Sequence, residues 1–186
     1  TLFRSLWDLN SEERLLFVPA HTDLVYALFA ASSENVIVAD ATVQKGIKHS
    51  VMEIWDAAQA KQIASVELVD HDDIGYLIPG HITFDSEAQS ALFWTTNNEA
   101  LLVDIESGLN LQSLVHRGVV QGAVFSPDSR LVASWDDELY LWDVETGEML
   151  TRIDGSPIQD AIFSLDGSRL ILVYADGSIQ MWGVAE

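Results

Sequence analysis

The sequence predicts an all-β fold in which a unit of four short antiparallel strands recurs along the chain. Three observations lead there. Four segments align without a gap, LWDLNSEERLLFV (6–18), IWDAAQAKQIASV (54–66), LVDIESGLNLQSL (102–114) and LWDVETGEMLTRI (141–153), and a fifth start, MWGVAE, stands at 181–186. Their anchors, Trp7, Trp55, Val103, Trp142 and Trp182, lie 48, 48, 39 and 40 residues apart, a period that belongs to repeat architectures. Between the anchors, apolar runs of strand length alternate with Ser, Pro, Asp and Gly, and no stretch carries a helical period.

The elements follow from that register, with strands a, b, c and d in each unit and the anchor at the end of c. The chain opens on a c strand ending near Trp7, so a c-d hairpin leads and four a-b-c units follow. Their c strands end near Trp55, Val103, Trp142 and Trp182. Apolar residues recur beyond each anchor, at Leu15, Ile63, Leu111 and Leu150 and again at Val18, Val66, Leu114 and Ile153, as matching d strands require. In the last two units VFSPDSRLVAS (124–134) and IFSLDGSRLILVY (162–174) put a tight turn between two apolar runs. IESGL and VETGE do the same between c and d. Of the two Trp-Asp pairs in SWDDELYLWDVETG (134–147), only Trp142-Asp143 is in register; Trp135-Asp136 is not.

Composition narrows the functional classes. With 186 residues and 48% hydrophobic content, the chain can bury a substantial core. No apolar run approaches the roughly 20 residues of a membrane span, and TLFRSLWDLN lacks the pattern of a secretory leader. The 29 acidic and 9 basic residues give a net charge of −20, which argues against nucleic acid, since phosphate binding needs clustered Lys and Arg. Such acidity serves solubility in one reading and attracts a basic partner in the other. The absence of cysteine removes thiol chemistry and thiolate metal sites and suits a cytoplasmic location.

With these residues in hand, the chain resembles the WD-repeat β-propeller family, most strongly over HRGVVQGAVFSPDSRLVASWDDELYLWDVETG (116–147). The resemblance implies radially arranged four-stranded blades, each sequence repeat straddling two of them. It also implies a structural network of His, Ser or Thr, Asp and Trp, matched here by His116, Ser134, Asp136 and Trp142, with Asp136 accepting from the imidazole and Trp142 donating to Ser134. Such a set satisfies buried polar groups by one another. A catalytic triad is not expected, because no G-x-S-x-G elbow accompanies the serine. The other repeats depart from the pattern. The second has Val103 for Trp, Asn97 for Asp and only Thr95 retained; the fourth has Tyr174 and Asp154 in the hydroxyl and His positions beside Asp176 and Trp182; the first keeps His21 and Trp55.

Few other residues carry chemistry. VDHDD (69–73) clusters Asp70, His71, Asp72 and Asp73 but lacks calcium-loop spacing, and His49 and His81 have no partners at metal-ligand spacing, so no metal, cofactor or catalytic residue is assigned. Trp94 and Trp135 are expected to pack between blades. Two long connections draw notice: ATVQKGIKHS (41–50) between b and c, and VDHDDIGYLIPG (69–80) between d and the next a. In the family both emerge on one propeller face. That makes Lys45, Lys48, His49, His71, Asp72, Asp73 and Tyr76 a candidate partner-binding surface, against the alternative that insertions simply accumulate in loops. The implied function is a protein-protein interaction scaffold facing a partner, basic in one reading, or other domains of its own chain. The alternative is part of a propeller enzyme with a central-channel site. Residues 1–186 are expected to form one partial propeller domain, an open arc that is a piece of a longer ring or that closes by self-association.

Overall fold

A computed structural model describes residues 3–7, 14–19, 23–29, 35–44, 47–56, 59, 61–69, 77–87, 89–95, 98–155 and 157–183. Among them there is no helix. A leading hairpin pairs β1 (Phe3–Trp7) with β2 (Arg14–Pro19). Three four-stranded sheets follow, each in simple meander order: β3 (Asp23–Phe29), β4 (Asn35–Gln44), β5 (Ile47–Asp56) and β6 (Lys61–Val69); β7 (Leu77–Phe84), β8 (Ser90–Thr95), β9 (Glu99–Asp104) and β10 (Asn110–Val115); β11 (Gly122–Phe125), β12 (Leu131–Trp135), β13 (Leu139–Asp143) and β14 (Met149–Ile153). A three-stranded sheet of β15 (Ile158–Phe163), β16 (Arg169–Tyr174) and β17 (Ile179–Gly183) comes last. All pairings between neighbours are antiparallel. The first strands of successive sheets, β3, β7, β11 and β15, meet one another, so the sheets stand side by side as blades do.

The five c strands β1, β5, β9, β13 and β17 end at or within one residue of the five anchors, as the repeat register predicts. At Trp55, Val103 and Trp142 the Asp that follows the anchor explains why the strand stops there. Asp56 accepts the Gln59 amide at 2.8 Å, Asp104 accepts both the amide and the hydroxyl of Ser107, and Asp143 accepts the amide and hydroxyl of Thr146 at 2.8 Å each. Each carboxylate thus caps the c-d turn through its own backbone. The turns after Asp104 and Asp143 close through Gly108 and Gly147 at φ of 70° and 71°, a region that costs other residues more. These hydrogen bonds hold the Asp104 and Asp143 carboxyls below the usual range, the Ser107 hydroxyl leading in the first and the Thr146 amide in the second.

The recurring Leu15, Ile63, Leu111 and Leu150 acquire a structural meaning. In each c-d ladder the register slips by one residue at this place: Trp7 pairs with Arg14 but Leu6 with Leu16, Trp55 with Gln62 but Ile54 with Ala64, Val103 with Asn110 but Leu102 with Gln112, Trp142 with Met149 but Leu141 with Thr151. The recurring apolar residue is the extra one of a β-bulge in every d strand. Bulges bend and twist a strand, and on an edge strand they spoil the template for further pairing.

Among the described residues, two cores lie between sheets. Leu92, Trp94, Leu102 and Leu114 of one pack against Val120, Phe125, Val132, Tyr140 and Trp142 of the next. Trp135 and Leu139 in turn meet Ile158, Phe163, Leu170, Leu172 and Tyr174 of the last sheet. Trp94 and Trp135 therefore pack between blades, as expected, at 4% and 6% exposure. The a-b turns add a polar clip: the Ser86 amide donates to Ser129 Oγ at 2.8 Å and the two hydroxyls bond at 2.8 Å across neighbouring blades.

One expectation is corrected. Residues 41–50 are not a swollen loop: β4 and β5 stay in register out to Gln44 opposite Ile47, leaving only 45–46 as the connection. The β-branched Thr42, Val43, Ile47 and Val51 favour pairing over looping, despite the Lys and His between them. The 69–80 connection is shorter too, because Val69 closes β6 and Leu77–Gly80 open β7.

Candidate functional site

The best-defined polar cluster stands at the end of the third full blade. Ser134 closes β12 beside Trp135, Trp142 lies on β13, and His116 follows β10 of the preceding blade, so the cluster bridges two sheets. Trp142 Nε1 donates to Ser134 Oγ at 2.8 Å, Ser134 Oγ lies 2.7 Å from His116 Nε2, and His116 Nδ1 lies 3.0 Å from the Leu114 carbonyl. A carbonyl can only accept, so Nδ1 carries the proton and Nε2 accepts from the serine hydroxyl. The relay runs from indole through hydroxyl and imidazole to the backbone with every member satisfied. Around it, the His116 ring meets Tyr140 edge-on at 4.5 Å, and Tyr140 stacks on Trp142 at 5.9 Å and 14°.

Asp136 stands elsewhere than the resemblance implies: it does not accept from the imidazole. Both ring nitrogens are already engaged, and the carboxylate serves the loop ends instead. It takes the Glu138 amide at 2.7 Å on one oxygen, and the Gly118 amide at 2.7 Å and the Tyr140 hydroxyl at 3.3 Å on the other. Buried at 3% exposure, it ties the b-c turn of its blade to the segment entering that blade. The Tyr140 hydroxyl also reaches Glu138 at 3.1 Å and receives the Arg117 amide at 3.3 Å. Burial, with the neighbouring carboxylates, pushes its pKa up to about 12, so it remains a donor throughout the physiological range.

Chemically this is a strut. Ser134 has 0% exposure, so its hydroxyl is closed to solvent, and one of its two lone pairs is held by the indole. Among the described residues no group of three or more His, Asp or Glu side chains is arranged to hold a metal ion. No helix there is long and apolar enough to cross a membrane.

Burial makes the relay sensitive to acid. Desolvation holds His116 below its ordinary 6.5, outweighing the Leu114 carbonyl and the Asp136 charge. The unfolded chain therefore binds this proton first. The stabilisation is complete above about 6.5 and is lost as pH falls below it, with a slope of at most about 1.4 kcal/mol per pH unit. Between pH 7 and 5 the melting temperature should drop more steeply for the native chain than for His116→Gln, which retains the other four histidines. Parallel curves would refute it.

The other repeats build no such relay among the described residues. Val103 is wholly buried in place of Trp. In the fourth repeat Asp154, just after β14, pairs with Arg152 at 3.0 Å, while in the last sheet Tyr174 reaches Gln180 at 3.3 Å, Asp176 caps Ser178 at 2.8 Å, and Trp182 is 40% exposed. His21 and Asn97 lie outside the described residues, as do the side chains of Thr95 and His81. Of the partner-surface set, Lys48 and His49 fall on β5, opposite Val43 and Thr42. Lys45, His71, Asp72, Asp73 and Tyr76, and the side chains of Lys48 and His49, lie outside the described residues.

Repeated c-d turns, blade-like sheets and an indole-hydroxyl-imidazole relay together make this a run of β-propeller blades, and one stretch of it matches a known repeat family. Residues 108–143 match the WD40 family described as "WD domain, G-beta repeat". The chain is 26% identical over 178 residues to the small ribosomal subunit protein RACK1 of Drosophila melanogaster, covering 89% of this chain and 52% of that protein. It is 36% identical over 81 residues to apoptotic protease-activating factor 1 of Homo sapiens, covering 37% of this chain and 6% of that protein. The chain thus spans about half the length of the first relative and a small part of the second. Among solved structures it is similar to the computationally designed Ika8 protein, with a TM-score of 0.72 and 18% identity over 97% of this chain and 52% of that one. It is also similar to the designed Ika4 protein, with a TM-score of 0.68 and 17% identity over 93% and 99%. Both likenesses speak to the fold alone.

Proposed function

We propose that the chain acts as a protein-interaction module, part of one propeller domain, rather than as an enzyme, and that it presents the face bearing the b-c and d-a connections to a partner protein. The WD repeat at 108–143 and its rigid, fully satisfied strut carry the reading: they supply a stiff frame and leave recognition to what projects from it. Support for the location comes from the ladder of the first full blade. His49 pairs with Val69, so the strand end that leads back to Lys48 and Lys45 in sequence adjoins the strand end from which the sequence continues to His71, Asp72, Asp73 and Tyr76. Two of the chain's nine Lys and Arg residues and a tyrosine belong to these connecting stretches of the sequence, a combination suited to anchoring a protein surface. A cytoplasmic setting accords with the cysteine-free sequence.

The test is affinity capture from the source lysate with native chain and with Lys45→Glu/Lys48→Glu and Tyr76→Ala. A defined protein whose recovery falls by about tenfold or more in the variants, equivalent to about 1.4 kcal/mol, supports the surface. Recovery unchanged in all variants would overturn it.

A further inference from the structure

The bulged d strands and the c-d turns meet at the rim of the second and third full blades, and the junction there differs from the rest of the surface. Gln112 of β10 donates to the Glu145 carbonyl at 3.3 Å. Its amide end lies against Gly147, where an added Cβ would oblige the Gln112 side chain to shift. The outer strand of one blade is thus seated on the c-d turn of the next. Apolar side chains gather around this seam without being covered: Leu109 is 65% exposed, Leu111 48%, Met149 50% and Leu150 52%. Leu111 and Leu150 are the extra residues of their bulges, and Met149, opposite Trp142 in register, lies on the sheet face turned toward β10. Isolated exposed apolar residues are ordinary; four beside one seam form a patch.

The seam is also acidic. Glu145 and Glu148 flank it and take no ion pair among the described residues. Arg117 and Arg152 are committed to Glu138 and Asp154 beyond the other end of the same blade's strands. Arg130 stands near Asp128 and Asp143, whose carboxyls its charge helps hold low. A ligand for this seam must bring apolar side chains to the leucines and cations to the glutamates.

We infer that the rim between β10 and β14 is a second docking surface, for a protein segment in which basic and apolar residues alternate. Leu109, Leu111 and Leu150 take its apolar side chains; Glu145 and Glu148 take its cations. This surface is on the outer circumference and is independent of the loop-bearing face, so either can fail alone.

The experiment titrates the intact chain with a fluorescent peptide of alternating Lys and Leu, and with a Lys/Ser peptide of equal length and charge, at about 0.15 M salt, where long-range attraction is screened. The Lys/Leu peptide should bind at least about tenfold more tightly than the Lys/Ser peptide. Leu111→Ser/Leu150→Ser and Glu145→Lys/Glu148→Lys should each weaken it by about tenfold, the scale of losing a buried contact or a complementary pair. Asp137→Lys/Asp154→Lys, the same charge change at the other end of the blade, should cost less than about threefold. All variants alter exposed side chains, and unchanged melting curves show that they remain folded. Equal binding of the two peptides, equal losses from the two charge reversals, or no binding of the Lys/Leu peptide would each overturn the inference.

Discussion

Gly122→Ala is expected to be the most damaging single-methyl change in the described part of the chain. Gly122 opens β11 directly opposite Trp135 on β12. A Cβ there would overlap the six-membered ring of that indole, which is itself 6% exposed and locked between two blades. Neither can yield cheaply. The strand is fixed by its ladder, and the indole by Ala133, Leu139, Ile158 and the aromatic residues beyond. Overpacking of this kind costs about 1–3 kcal/mol, at times more. For a chain of this size that corresponds to a drop of roughly 2–4 °C per kcal/mol in melting temperature. Trp135→Leu should be destabilising alone yet recover part of the loss when combined with Gly122→Ala. Additive losses in that double-mutant cycle would show that the two do not collide.

The second large effect is expected from His116→Ala. It leaves the Ser134 hydroxyl without its acceptor and the Leu114 carbonyl without its donor, and it removes the ring that meets Tyr140 and Trp142. An unsatisfied buried polar group costs about 1–3 kcal/mol, and the cavity adds to it. Arg117→Ala, one residue on and 68% exposed at its side chain, should cost within about 0.5 kcal/mol, since an exposed ion pair at 3.8 Å contributes little. Denaturant melts of the two variants side by side provide the check. Similar midpoints would mean that the relay contributes nothing to stability.

How much of this could be read beforehand depends on which atoms each feature uses. The c-strand ends were legible because a large anchor followed by a turn-capping Asp is written in side chains, and side chains are what a sequence records. The indole, hydroxyl and imidazole of Trp142, Ser134 and His116 were legible for the same reason. The partner of His116 Nδ1 was not, because it is a backbone carbonyl, invisible as a residue type; a carboxylate nearby took its place in the prediction. The 41–50 hairpin was misread as a loop because its Lys and His masked the β-branched residues that pair. Recurrence of Leu15, Ile63, Leu111 and Leu150 was plain, but a bulge is one unpaired residue in a ladder and alters neither composition nor period. The exposure of Ile63, Leu111 and Leu150, and the acidic seam beside the last two, follow only from the pairing.

The clip between Ser86 and Ser129 bears on how such a chain can change over time. Ser129 holds φ of 62° at a turn position where the next blade has Gly167 at 72°, and Gly167 faces Pro127 as Ser129 faces Ser86. The strained serine is useful only beside a neighbour that can donate to it; Pro127 cannot, having no N–H and no hydroxyl. These two junctions therefore carry different keys. A blade copied and inserted after itself would meet the wrong partner, retaining the cost of the left-handed serine and losing the bond that offsets it. Despite their shared pattern, these repeats have become ordered parts with fixed addresses, and duplication or shuffling of single blades would have to be repaired at the turns before it could be kept.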